Sequence, residues 1–297
     1  MFSVTFAAPP QASYVPHRVY NAGERRFSDF EAMLADLARA DVVFVGEQHD
    51  DPATHRLELA VLEGLARRRA SVVVAMEMFE RDAQQAVDDY LAGRISEQEF
   101  LKLSRPWPNY AADYRPLVEF AKSKGWRVIA GNAPRRYASE VSKNGLQALD
   151  ALPQAERGLV ARDINCPQDD YFKRFAEAMR SHPGAAAHGN SGGDQGTAVE
   201  RMYLAQCVKD ETMAESVARA SDAEPKPLVV HFNGAFHSDY ALGAAARVKR
   251  RLPAASVRVV SIIPVADLDA IKVEDYARRG DYLVFTLKPR KGEGRKG

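Results

Sequence analysis

The sequence is short of three things, and each shortage excludes something. It holds only two cysteines, Cys166 and Cys207, in 297 residues. They lack CxxC spacing, so neither a disulfide framework nor a cysteine-type zinc site is expected. There is no excess of either charge: Lys and Arg number 41 against 40 Asp and Glu, a formal charge of +1. That balance removes the broad basic footprint of a nucleic-acid binder, and no nucleic-acid partner is expected. Nor does any apolar run reach the length of a membrane-spanning helix.

The ends are read as expectations of the same kind. The start, MFSVTFAAPPQASYVP, has no basic n-region and only a short apolar stretch. It is no intact signal peptide, though it fits the remainder of a trimmed one. Residues 1–26 are read as an N-terminal extension and 27–290 as a single domain. The basic, glycine-rich residues 291–297 are read as a solvated tail.

What the chain does contain is an ordinary globular balance, 46% hydrophobic and 27% charged. Runs rich in Val and Ile recur at Val42–Val45, Val72–Met76, Val128–Ala130, Leu228–Phe232, Val257–Ile263 and Tyr282–Leu287. They read as buried strands. Helical patterns separate most of them, so the expected class is α/β: a mainly parallel central sheet with helices on both faces. Ser28 with Glu31 and Ser96 with Glu99 read as capping boxes. Asp51 followed by Pro52 reads as N-cap and first residue of a helix running to about Arg69. A helix from about Arg115 to Lys124 is stopped by Gly125. Residues 79–115 and 140–220 break the alternation and read as helical insertions over the strand C-terminal edge. The second is interrupted by the loop SHPGAAAHGNSGGDQG.

The polar residues concentrate where those strands end. VVFVGEQHDD carries Glu47 and His49, and VVVAMEMF carries Glu77. VIAGNAPRR carries Asn132 and Arg135, and FNGAFH carries His237. GEQH and GAFH echo each other, each after an apolar run and before an expected helix, from Asp51 and from Ser238. Strand C-termini of an open parallel sheet line one edge, where ligands usually bind. Glu47, His49, Glu77 and His237 are therefore expected to share one cleft. Two carboxylates and two imidazoles suit a divalent metal such as zinc, manganese or iron. They suit metal-free acid–base hydrolysis equally. The bland alternatives are a helix-dipole role for Glu47 and an ion pair of Glu77 with Arg81 or Arg135. His55 falls in the first turn of its helix and reads as a further cleft residue. His231 lies inside a strand and reads as a core histidine.

GEQHDDPATH, VAMEMFERDAQ, AGNAPRR, AQCVKDETMAES and FNGAFH occur in this order between about Phe27 and Ile263. Together they resemble the ChaN-like family of haem-binding, iron-regulated proteins, grouped with the Tiki proteases and erythromycin esterases. The resemblance implies haem as cofactor and partner, held by tyrosine at the interface of a homodimer with histidine assisting. It also implies haem or iron acquisition at the bacterial cell envelope or periplasm. The chain departs from the family's lipoprotein pattern, since no lipobox cysteine precedes the domain. Membrane association is expected only if an anchor precedes this chain.

Tyrosinate is a hard ligand that suits ferric iron. Tyr203 is the first candidate, because Tyr203, Gln206, Asp210 and Met213 share one helical face beside the loop. It also reads as core packing with its hydroxyl capped. His182 and His188 are candidate assisting imidazoles, or simply solvated loop residues. Tyr110 and Tyr114 follow. Three functions stay open: a haem-binding protein, an esterase- or peptidase-like hydrolase using Glu47, His49, Glu77 and His237, and a non-catalytic interaction module.

Overall fold

The computed structural model describes residues 14–181, 195–223 and 225–288. Eight strands form one sheet. They are β1 (His17–Asn21), β2 (Arg26–Ser28), β3 (Val42–Glu47), β4 (Val72–Glu80), β5 (Arg127–Asn132), β6 (Leu228–Gly234), β7 (Val257–Val265) and β8 (Tyr282–Leu287). Their spatial order is β2-β1-β8-β7-β3-β6-β4-β5. Strands β8 through β5 in that order pair parallel to one another, and β1 pairs antiparallel with both β8 and β2. The fold is α/β, as expected.

Every apolar run expected to be a strand is one. The strands are buried on both faces because their side chains alternate between two separate cores. Val43, Val45, Val74, Met76, Val230 and Phe232 face a layer that includes helices Phe30–Leu37, Pro52–Ala66 and Arg115–Ser123. Val42, Phe44, Val73, Ala75, Val229 and Val259 face the opposite layer. There they meet Met213 and Val217 of helix Gln195–Ser221 and Ala244 and Val248 of helix Gly243–Arg251. Each Val, Met or Phe side chain withdrawn from water in this way contributes roughly 1.5–3 kcal/mol.

Several local readings need correction. Residues His17–Asn21 and Arg26–Ser28 are not an extension, since they complete the sheet through β8. No long apolar run announces them, because β1 and β2 are short and mostly half-buried or exposed. Ser28 does not cap the first helix either. It is held in the β1–β2 pair, opposite Val19, and the cap passes to Asp29, whose carboxylate accepts from Ala32 N–H. Asp51 and Ser96 do cap their helices, with Pro52 opening the first. Cys166 and Cys207 form a disulfide across 41 residues, with Cα atoms 5.7 Å apart. Their spacing in sequence concealed it, because folding lays the loop before helix Asp170–Ser181 against the long helix Gln195–Ser221. His182, His188 and residues 291–297 lie outside the described residues.

The chain after β6 does not enter a helix at Ser238. It makes two short 3-10 turns, Ala235–His237 and Asp239–Ala241, with Tyr240 at φ 64° and Ala241 at φ 54°. The helix begins only at Gly243, itself at φ +54°. A Cβ on Gly243 would lie 2.5 Å from the His237 carbonyl oxygen. We therefore expect Gly243→Ala to cost about 1–3 kcal/mol in urea unfolding, from left-handed backbone and overpacking together. An unchanged midpoint would contradict this account of the turn.

Candidate functional site

Strands β3, β6 and β4 end side by side, and the polar groups lie at or near those ends, with Glu77 close to the end of β4 and His237 in the turn after β6. Glu47 is the last residue of β3 and is 1% exposed. Its Oε1 accepts from Tyr114 Oη at 2.8 Å and also contacts His49 Nδ1. The imidazole of His49 packs edge-on against Trp107, with ring centres 4.8 Å apart. Its other nitrogen is turned toward β6. A Cβ built on Gly234 would lie 2.6 Å from His49 Nε2 and 3.6 Å from Glu77 Oε2. Glycine at 234 is what lets this imidazole stand beside the β6 backbone and near Glu77.

A second chain of contacts starts from Glu77. Its Oε2 accepts from Gly234 N–H at 2.7 Å, and its Oε1 lies 3.3 Å from His237 Nε2. His237 Nδ1 lies 2.7 Å from Asp210 Oδ1, and Asp210 Oδ2 accepts from Tyr171 Oη at 2.8 Å. His237 thus sits between two carboxylates. Burial opposes its charge, yet Glu77 and Asp210 raise its pKa to about 10. Burial likewise pushes Glu77 upward, but the charges of His237 and His49 and the Gly234 N–H hold it at about 2. For His49 too, burial opposes the charge, and Glu47 and Glu77 outweigh it.

Behind Glu47 lies a third group, on helix Pro52–Ala66. His55 Nδ1 is 2.9 Å from Glu58 Oε2 and 3.3 Å from Glu47 Oε2, and all three side chains are buried. Despite its burial, contacts with Glu47 and Glu58 raise His55 to about 11. Burial and the negative charge of Glu47 push Glu58 upward. Helical spacing of three residues puts His55 and Glu58 on one face, aimed at the β3 terminus.

The four residues expected to share a cleft are brought together, as two adjacent imidazole–carboxylate pairs. His49, Gly234 and His237 border a cavity of about 600 Å³, whose walls include Arg174, Phe236, Tyr240 and Arg279. As a metal set the quartet is divided. Among the described residues, the donor atoms that lie within 4.8 Å of one another belong to Glu47, His55 and Glu58. Arg81 does not pair with Glu77 but with Glu215 at 3.0 Å. Asp210 is brought against His237, whereas Asn132 and Arg135 do not border the cavity. Asn132 bonds the Glu77 carbonyl and the Ala133 N–H, and Arg135 is exposed on its helix. His231 is a core residue against Phe44, its pKa lowered to about 4 by burial.

The tyrosines are placed differently from expectation. Tyr203 is 2% exposed, packs among Phe172 and Phe175, and donates its hydroxyl to the Pro167 carbonyl at 2.7 Å. Its oxygen is therefore not presented to the cavity, and the core-packing reading describes it. Tyr110 is buried among Phe79 and Phe100, whereas Tyr114 reaches the site through Glu47. Sequence reasoning missed Glu58, Tyr171, Arg174, Tyr240 and Arg279. For Glu58 a signal existed, three residues after His55 on a helix leaving the GEQH turn. Arg279 comes from a stretch with no pattern to mark it.

An α/β sheet whose parallel strand ends bury paired imidazoles and carboxylates under a wall of helices defines the class. The sequence matches the family described as haem-binding uptake, Tiki superfamily, ChaN, over residues 33–248. The chain belongs to that family. The solved structure of ChaN from Campylobacter jejuni, described as binding haem cofacially, is similar in fold at a TM-score of 0.65 and 15% identity. That likeness covers 92% of this chain and 97% of the other. The chain is also 24% identical over 272 residues to the chloroplastic protein RETICULATA-RELATED 5 of Arabidopsis thaliana, covering 87% of this chain. It spans only about a third of that relative, 36% of its length.

The His237 pair generates a pH test. Its pKa is about 10 folded, against an ordinary 6.5. The stabilisation is therefore complete below pH 6.5 and is lost as pH rises through 10. Urea unfolding across this window should show wild type losing about 3–5 kcal/mol more than His237→Asn loses. Parallel pH profiles for the two proteins would refute the charged pair.

Proposed function

We propose that the protein binds haem in the cavity at the C-terminal edge of the sheet. The observation that carries this reading is the lining of that cavity. Phe236, Leu242 and Ala178 offer apolar surface for a macrocycle, while Arg174 and Arg279 offer guanidinium groups suited to propionates. Tyr240 also borders the cavity, with the Arg174 guanidinium 3.5 Å from its ring centre. It takes the role first expected of Tyr203, since it borders the cavity and a tyrosine oxygen suits ferric iron. Bound haem would supply the iron. The protein residues would hold its edge charges, cover its faces and position His49 beside it.

The finer reading is haem or iron acquisition in the bacterial cell envelope. A disulfide between Cys166 and Cys207 supports an oxidising compartment. No helix among the described residues is long and apolar enough to cross a membrane. His182 and His188 keep their proposed role as assisting imidazoles, contributed by a second copy of the chain. Ferric haem titrated into the purified protein should develop a Soret band, with self-association followed by light scattering. Tyr240→Phe should weaken binding at least tenfold, about 1.4 kcal/mol, whereas Tyr203→Phe should leave it unchanged. No spectral change at stoichiometric haem would end the reading.

One observation favours a second reading. His49 has Nδ1 tied to Glu47 and Nε2 beside the cavity at Gly234, the arrangement of a general base with its orienting carboxylate. His237, which Glu77 and Asp210 favour in its charged form, borders the same cavity. An esterase and peptidase panel on haem-free protein tests it. Any activity found should fall by about 10²–10⁴ in His49→Gln. Activity untouched by that substitution would remove His49 from the chemistry.

A further inference from the structure

The buried group behind Glu47 has a chemistry that neither haem nor the cavity uses. His55 Nε2 lies 3.1 Å from the His49 backbone carbonyl, which can only accept. That nitrogen therefore carries a proton. The opposite nitrogen, Nδ1, faces Glu58 Oε2 at 2.9 Å and Glu47 Oε2 at 3.3 Å. In a neutral imidazole this would set a lone pair against two carboxylates, inside a region where His55 is 4%, Glu47 1% and Glu58 0% exposed. Protons or a cation must stand between them.

A proton on Nδ1 answers only part of the need. It satisfies Glu58 Oε2, but Glu47 Oε2 and Glu58 Oε1 have no hydrogen-bond partner among the described residues. Both belong to residues more than nine-tenths buried. A divalent cation would take the place of the proton on Nδ1 and of one shared between the Glu47 and Glu58 carboxylates, using the imidazole nitrogen and both carboxylates at once. The surroundings also suit a metal. A ligating histidine normally donates its far N–H to a carbonyl or carboxylate. Here the His49 carbonyl occupies that place, with Asp113 Oδ2 3.7 Å from the same nitrogen. Glu47 keeps its other oxygen for Tyr114 and His49.

We propose that Glu47, His55 and Glu58 form a buried site for one divalent cation of the zinc, manganese or iron(II) type. One nitrogen and two carboxylates, with both cysteines in the disulfide, define that ligand class. The ion sits behind the cleft and fixes Glu47, which in turn holds His49. The inference does not rest on haem binding, so the two can fail separately.

Elemental analysis of untagged, haem-free full chain should find about one zinc, manganese or iron ion per chain, either as purified or after adding the metal alone. Treatment with a strong chelator should lower the melting temperature, and adding back Zn²⁺ or Mn²⁺ should restore it. Glu58→Gln should lose the ion while Glu77→Gln, in the neighbouring pair, keeps it. Retention of the metal by Glu58→Gln would overturn the site. So would wild-type protein that takes up neither metal and shows no melting shift with chelator or Zn²⁺, leaving the three side chains held by protons. The chelator comparison uses wild type alone and stands even if Glu58→Gln does not fold.

Discussion

Four buried carboxylates, Glu47, Glu58, Glu77 and Asp210, lie beside the imidazoles of His49, His55 and His237 at the end of a parallel sheet. Burying an unpaired charge costs several kcal/mol, so each of these groups demands an opposite partner in a fixed place. That demand explains much of the local structure. Gly234 lacks a side chain because His49 occupies the space, and its N–H binds Glu77. Tyr114, from the turn between two helices inserted between β4 and β5, covers Glu47. The left-handed turn through Tyr240 and Gly243 brings the chain back over the His237 carbonyl.

The insertions complete this network from outside the sheet. Residues between β4 and β5 supply Trp107 against His49, and Asn109 donates to the His49 carbonyl at 3.0 Å. The long helix Gln195–Ser221 supplies Asp210 to His237 and is anchored on several sides. Arg81 reaches its Glu215, Arg247 and Arg250 reach its Glu211, and the disulfide ties Cys207 to the preceding loop. A carboxylate opposite a buried imidazole is useful only if its helix cannot drift, and these ties hold it.

The cleft that results suits either of two uses, and the same features serve both. Haem needs an apolar slot with cationic edges and an iron ligand. Hydrolysis needs an oriented imidazole next to a binding cavity. His49 and the cavity wall enter both proposed readings, and the fold by itself does not choose between them. The chloroplastic relative extends well beyond the stretch that matches this chain.

The strands, the order of the motifs and the convergence of Glu47, His49, Glu77 and His237 were legible in the sequence, because they rest on local periodicity and a general rule about where parallel strands end. Family membership was legible too, from five short motifs in one order. Other features depended on distance in space, and only the tertiary structure decided them. Tyr203 shares a face with Asp210 in sequence, but packing against Phe172 and Phe175 turned its hydroxyl to Pro167. Cys166 met Cys207 only after two helical segments folded together. Glu58 shares a helix face with His55, which the spacing could signal, but only the packing of that helix against β3 brought it to Glu47. Periodicity tells which face of an element is apolar, whereas the partner of a buried charge is set by which elements pack beside it.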